Sequence, residues 1–191
     1  MKKLVAVSTL IALFALTLGV TYAAFTDKGK YQGSTFSVGS ADLKILNDVT
    51  LGLDPLNLVE VKEGPVFENI SPNWSQNYLM KIYNNATTNL ALTTNANYET
   101  ANDPADLRSI IFVEPFEWND ANGDGIVDTG EEGTSLGRKT IVKWKTEGYN
   151  LGTLNRGEVK SLILRFSTDS VSETKQGASG MIDFEFNATG M

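Results

Sequence analysis

The chain contains neither cysteine nor histidine. Without Cys there is no disulfide framework and no thiolate chemistry. Without His, the usual general base at neutral pH and the commonest zinc ligand are both missing. Clustered basic residues are missing too: 16 Lys and Arg stand against 23 Asp and Glu, a formal charge of −7. Such a chain is a poor partner for nucleic acid, whose phosphates call for clustered cations. After the first segment no stretch holds a long 3.6-residue hydrophobic period, which argues against a helical bundle. There is no internal repeat and no low-complexity linker. The length of 191 residues fits one domain with a proper core.

The one long apolar run stands at the start. Lys2 and Lys3 precede it, Leu4 to Val20 form it, and Thr21 and Ala23 place small residues at the −3 and −1 positions of a signal peptidase site. The pattern predicts a signal peptide over 1–23, cut between Ala23 and Ala24. The alternative is an uncleaved membrane anchor, since the run is borderline in length for spanning. No cationic stop-transfer cluster follows it, which favours cleavage. Contact with a membrane is then expected only through the uncleaved signal peptide. Loss of Lys2 and Lys3 leaves 14 cations against 23 anions, a mature charge of −9. With no C-terminal apolar segment in the sequence, the expected location is secreted, extracellular or at the cell surface.

The remainder reads as β. Phe36 and Val38, then Leu43 and Ile45, alternate at period two with a Gly39-Ser40 slip between the pairs, the mark of a turn or bulge. "NLVEVKEG", "NYLMKIYNN" and "NLALTT" are short strand-like runs, the last two joined at Asn84-Asn85 as a candidate hairpin. "LRSIIFVEPF" and "KTIVKWKT" flank an acidic insertion. Leu162, Leu164 and Phe166 share one face, as do Ile182, Phe184 and Phe186. Residues 101–109 suit a helical turn or short helix. Many short strands separated by Asn, Gly, Asp and Pro predict an all-β fold, a β-sandwich.

The acidic insertion, "DANGDGIVDTGE", fits the spacing of a twelve-residue calcium loop. Asp120, Asn122 and Asp124 take positions 1, 3 and 5. Gly125 sits at the sharp turn of position 6, and Ile126 offers its carbonyl at position 7. Asp128 and Glu131 take positions 9 and 12. Hard oxygens at alternate positions can wrap an ion of calcium's size, in the roughly 10⁻⁴–10⁻³ M range typical of extracellular modules. The bland alternative is an acidic Asn-Gly turn, where the same residues gather for backbone reasons. The flanks carry Pro and Gly instead of helical patterns, so this is a single loop inserted between two strands.

The N-terminal residues carry a resemblance. Tyr22 to Asp27, followed by Thr35, Phe36, Gly39, Asp42 and Leu43, resemble the start of the TasA and camelysin-like family of secreted proteins. "FENISPNWSQNYLMKIYNNATTNLALT" and "SETKQGASGMIDFEFNATG" are similar to later family segments, with Ser71-Pro72-Asn73 where Pro-Gly is common. The resemblance implies a jelly-roll-like β-sandwich over 35–191, a signal peptide removed by a SipW-type signal peptidase, and a subunit of a cell-surface or biofilm-matrix fibre. It implies a homopolymer in which the processed segment 24–34 donates a strand to the next copy, with Phe25 and Tyr31 as its apolar anchors. Gly29 and Gly33 weaken that strand, and a terminus folded back on its own domain is the alternative.

The same resemblance carries a metalloprotease reading through camelysin. A zinc protease holds its metal mostly by His, with a Glu as base, and this chain has no His. No G-x-S-x-G elbow and no Ser-His pair occur either. A non-enzymatic role is therefore expected. A monomeric surface adhesin or carbohydrate-binding module is the other reading, with Trp74, Trp118 and Trp144 as stacking candidates whose ordinary role is packing.

Overall fold

An extended chain turns period-two alternation into one apolar face. The final strand shows this most clearly. In the computed structural model, which describes residues 30–31, 35–38, 42–67, 70–175 and 177–191, Phe184, Phe186 and Ala188 are all buried. The early strands are β1 (Lys30–Tyr31), β2 (Thr35–Val38), β3 (Leu43–Leu46), β4 (Leu58–Val59) and β5 (Val61–Glu63). The middle ones are β6 (Ser75–Asn84), β7 (Leu90–Asn97), β8 (Ile111–Trp118), β9 (Glu132–Ser135) and β10 (Lys139–Thr140). A helix, α1 (Ile141–Glu147), precedes β11 (Tyr149–Leu154), β12 (Val159–Thr168), β13 (Ser179–Gly180) and β14 (Asp183–Gly190).

The strands form an all-β sandwich. One sheet has five strands in the order β11-β7-β14-β2-β5, and the other has seven, β10-β8-β12-β6-β3-β4 with β9 added to β8. The chain crosses from sheet to sheet at most links: β2 to β3, β4 to β5, β5 to β6, β6 to β7, β7 to β8, β10 to β11 and β11 to β12. That winding is jelly-roll-like. One pairing departs from an all-antiparallel roll, since β14 and β2 run parallel with Phe184 beside Phe36. Among the described residues no helix is long and apolar enough to cross a membrane.

Aromatic rings fill the space between the sheets. Phe184 stacks on Phe36 at 4.8 Å and on Trp144 at 4.7 Å, and Phe166 joins Phe67 at 4.6 Å. These rings come from both sheets and from α1, so the core ties the layers directly.

Three local expectations change. The Asn84-Asn85 turn does not close a hairpin, because β6 and β7 lie in opposite sheets. Both strands carry buried residues, so each finds better burial by facing the other across the core. The slip after Val38 is a sheet crossing: Phe36 belongs to the five-stranded sheet and Leu43 to the seven-stranded one. Asp42 turns the chain there at φ 54°, a left-handed conformation that Asp tolerates, and its carboxylate accepts a hydrogen bond from Asn85 Nδ2 at 2.6 Å. Finally, "KTIVKWKT" leaves strand geometry at Thr140. The Thr140 hydroxyl accepts from Lys143 N–H and starts α1, which buries Ile141 and Trp144 at a three-residue spacing and stops at Gly148.

Phe184 touches three other core rings, so Phe184→Ala removes packing that the sandwich cannot refill. It is expected to cost about 3–5 kcal/mol, read as a lowered midpoint in urea unfolding.

Candidate functional site

The acidic segment joins β8 to β9 as a closed loop, with Trp118 opposite Glu132 at its base. Its own polar groups fold it. The Asp120 carboxylate accepts N–H bonds from Gly123 at 3.0 Å and Gly125 at 3.3 Å. Asn122 Oδ1 accepts from Asp124 N–H, and Asp124 Oδ1 accepts from Ile126 N–H. Asn122 Nδ2 donates to the carboxylates of Asp124 and Asp128. Glu131 is buried and accepts from the N–H groups of Ala121 and Asp128 and from the Trp118 indole. Gly125, at φ 74°, lies so close to the 48–57 turn that an added Cβ would meet Thr50 Cγ2 at 2.6 Å and Val49 Cγ2 at 2.9 Å.

The loop lies over the outer face of the seven-stranded sheet. There Phe116, Trp118 and Ile163 form a second buried cluster, with Val49, Leu79 and Val127 packed on it. Lys81, from β6, reaches into this cluster. Its ammonium sits 2.6 Å from Asp120 Oδ2 and 2.8 Å from the Val49 carbonyl, and 5.2 Å from the centroid of the Trp118 ring. The pair is shielded from solvent, the Asp120 side chain being 1% exposed and that of Lys81 11%. The surrounding apolar side chains raise the cost of leaving either charge alone.

All six residues of the calcium spacing are therefore in one loop, and the side-chain oxygens of Asp120, Asn122, Asp124, Asp128 and Glu131 accept hydrogen bonds there. The position-1 carboxylate is already matched by a cation, Lys81. Among the described residues no three carboxylates gather as a metal site. In this arrangement the Asp120 carboxylate is engaged by Lys81, and those of Asp124, Asp128 and Glu131 accept from donors of the loop and of Trp118 at its base. Lys81 is the residue that loop spacing could not reveal, since it lies 39 positions from Asp120. The sequence did carry a signal: a lone Lys inside the apolar strand "YLMKIY". Of the remaining sequence-predicted positions, Ala23, Ala24 and Phe25 lie outside the described residues. Tyr31 is in β1, where it is paired with Gly180 of β13 in a two-residue parallel ladder.

The three Trp residues pack. Trp144 is in the main core, Trp118 in the second cluster, and half-buried Trp74 edges against Phe67 at 5.1 Å. A polar hollow of about 280 Å³ opens beside Trp118, lined in part by Glu117, Glu158 and Lys160. Lys160 and Glu117 already pair with each other there at 3.5 Å.

No family model and no curated protein matches the chain. Among solved structures it is similar to the ASH / PapD-like domain of human CEP192 (PapD-like domain 7). The two share 9% identity at a TM-score of 0.25, over 63% of this chain and 75% of that one. A likeness at that score carries no weight, and the sandwich rests on the sheets described above.

The contact at Gly125 supplies a test of the docking of this loop. Gly125→Ala adds a left-handed Cβ against Thr50, so it is expected to cost about 1–3 kcal/mol. Limited proteolysis should then cut first within 120–131, whereas cleavage elsewhere would mean the loop is not held through this contact.

Proposed function

We propose that the chain is a secreted, non-enzymatic structural protein, a subunit of a cell-surface or biofilm-matrix fibre joined by donor-strand exchange between copies. The observation that carries this reading is a pair of open sheet edges on one flank. Among the described residues, β5 ends the five-stranded sheet and β4 ends the seven-stranded one. The chain around them exposes Leu51, Leu53, Leu56, Val61 and Val66. An edge strand offers unpaired N–H and C=O groups to an incoming extended segment, and flanking apolar side chains give that segment something to bury against. The donor on this reading is segment 24–34, freed by a SipW-type signal peptidase at Ala23-Ala24. Among the described residues its in-chain pairing spans Lys30 and Tyr31, a small ladder to give up. Addition of each copy to the next leaves a new edge, so growth is open and linear.

Two purified forms test assembly, one beginning at Ala24 and one at Thr35. Filaments in negative stain from the first, with monomers on size exclusion from the second, are the expected result. Monomers from both would favour a surface adhesin on the same scaffold. Filaments from both would move the donor to another part of the chain.

Calcium belongs to this proposal only as a ligand of a loop whose Asp120 is not held by Lys81, the state that Lys81→Met would create. Calorimetric titration should then show weak or undetectable binding in the native chain and tighter binding in Lys81→Met. Equal affinity in the two would mean that Asp120 is not needed for the ion.

A further inference from the structure

Lys81 and Asp120 form a buried amine–carboxyl pair that no strand ladder requires. The strand that carries Lys81 and the strand that leads into Asp120 are not neighbours, since β12 lies between β6 and β8. Ser161 of β12 stands opposite Lys81, and Leu162 stands opposite Glu117. The Lys81 side chain therefore spans a whole strand to reach Asp120, two residues beyond Trp118. Once there it is fixed from two sides, by Asp120 Oδ2 at 2.6 Å and the Val49 carbonyl at 2.8 Å.

We propose that Lys81 and Asp120 are the partners of an intramolecular isopeptide bond, formed by the folded chain on itself. Nζ stands 2.6 Å from an oxygen of the carboxyl group, so the carboxyl carbon is no more than about 4 Å away, close to attack distance. Two groups held this way react with an effective concentration far above any attainable in solution. The apolar cluster of Phe116, Trp118, Ile163, Leu79, Val49 and Val127 shields the pair from solvent, the Asp120 side chain being 1% exposed.

The step balances within the pair. A proton passes from the Lys81 ammonium to Asp120 Oδ2 along the existing hydrogen bond. The neutral Nζ attacks Cγ, and a C–N bond forms. A second proton moves from Nζ to the Oδ2 hydroxyl, the Cγ–Oδ2 bond breaks, and one water leaves. No oxidant, reductant or further reactant is needed. Oδ1 stays as the amide oxygen, and the Gly123 N–H that already donates to it at 3.0 Å faces the oxygen on which negative charge develops. The amide keeps one N–H, which can remain on the Val49 carbonyl. Only the Gly125 N–H bond to Oδ2 is given up.

The product would join β6 to the start of the 120–131 loop covalently, in a chain whose sequence offers no disulfide. This inference does not depend on assembly into fibres.

Mass spectrometry of the purified folded protein, unfolded just before measurement and with its N-terminus fixed by sequencing, tests it. The expected mass is that of the chain less one water, and a digest should yield a branched peptide joining the Lys81 and Asp120 segments. Lys81→Met and Asp120→Asn, each checked for native circular dichroism, test the assignment. Lys81→Met should restore the full sequence mass, since no amine remains. Asp120→Asn should either retain that variant's full mass or lose ammonia in place of water through the same attack. The full sequence mass in the folded native chain would overturn the proposal and leave an ordinary buried ion pair. A water loss that persists in Lys81→Met would overturn it equally, because the dehydration would then lie elsewhere. If Lys81→Met does not fold, the branched peptide from the native chain decides alone.

Discussion

The centre of the seven-stranded sheet is apolar on both faces, and much of the structure answers to that constraint. Leu162, Leu164 and Phe166 of β12 point into the sandwich, while Ile163 between them is just as buried on the other side. An antiparallel sheet with one solvated face would put a polar residue at that position. Here the outer face needs a cover, and two irregular segments supply it. The 48–57 turn brings Val49 and the acidic loop brings Val127. An insertion that reads as a surface ornament is thus a roof over a second core.

Roofing with an acidic loop creates an electrostatic difficulty that Lys81 resolves. Four carboxylates lie within residues 120–131, and two of them, those of Asp120 and Glu131, are buried. Glu131 is held by three N–H donors. Asp120 has two backbone donors and the Lys81 ammonium. Hydrogen bonds to charged groups are worth about 1.5–3 kcal/mol each, and a buried charge stripped of its partner costs about 3–5 kcal/mol. The loop, the turn and β6 therefore stand or fall together at this point. A metal spacing pattern and a self-sufficient loop use the same residue types, because Asp, Asn and Gly both ligate cations and stabilise tight backbone turns.

What the sequence disclosed follows from this division. Strands with one buried face, such as β14, are plain in their period-two pattern. Residues that face the second cluster are not. Ile163 looks like a break in alternation, and Trp118 and Phe116 look like the ends of a strand beside a loop. Local pattern also could not say to which sheet a strand belongs. Asn84-Asn85 is as good a turn between sheets as within one, and only the pairing of β6 with β12 and of β7 with β14 distinguishes the two. Helix α1 was hidden for a different reason: seven residues rich in β-branched and aromatic types have weak helical preference, and the Thr140 cap and the burial of Trp144 decide the matter. The acidic loop itself was legible in position and boundaries. Its cation was not, since Lys81 arrives from a distant strand.

The roof and the open flank share one segment. Residues 48–57 give Val49 and Thr50 to the contact with Gly125, and they carry Leu51, Leu53 and Leu56 outward beside β4. The turn is rigid by its own bonding. The buried Asn57 amide donates to the carbonyls of Asp48 and Gly52 and accepts from Asp48 N–H, and Asp54 caps the short 3₁₀ turn that follows. Apolar side chains displayed from a fixed turn lose less freedom on docking than the same side chains on a loose loop, so more of their burial remains as binding free energy. The clamp that seals the second core, Lys81 on the Val49 carbonyl, also anchors the base of this display. Loosening the acidic loop would then disturb an edge to which it contributes no strand, through the single turn that serves both.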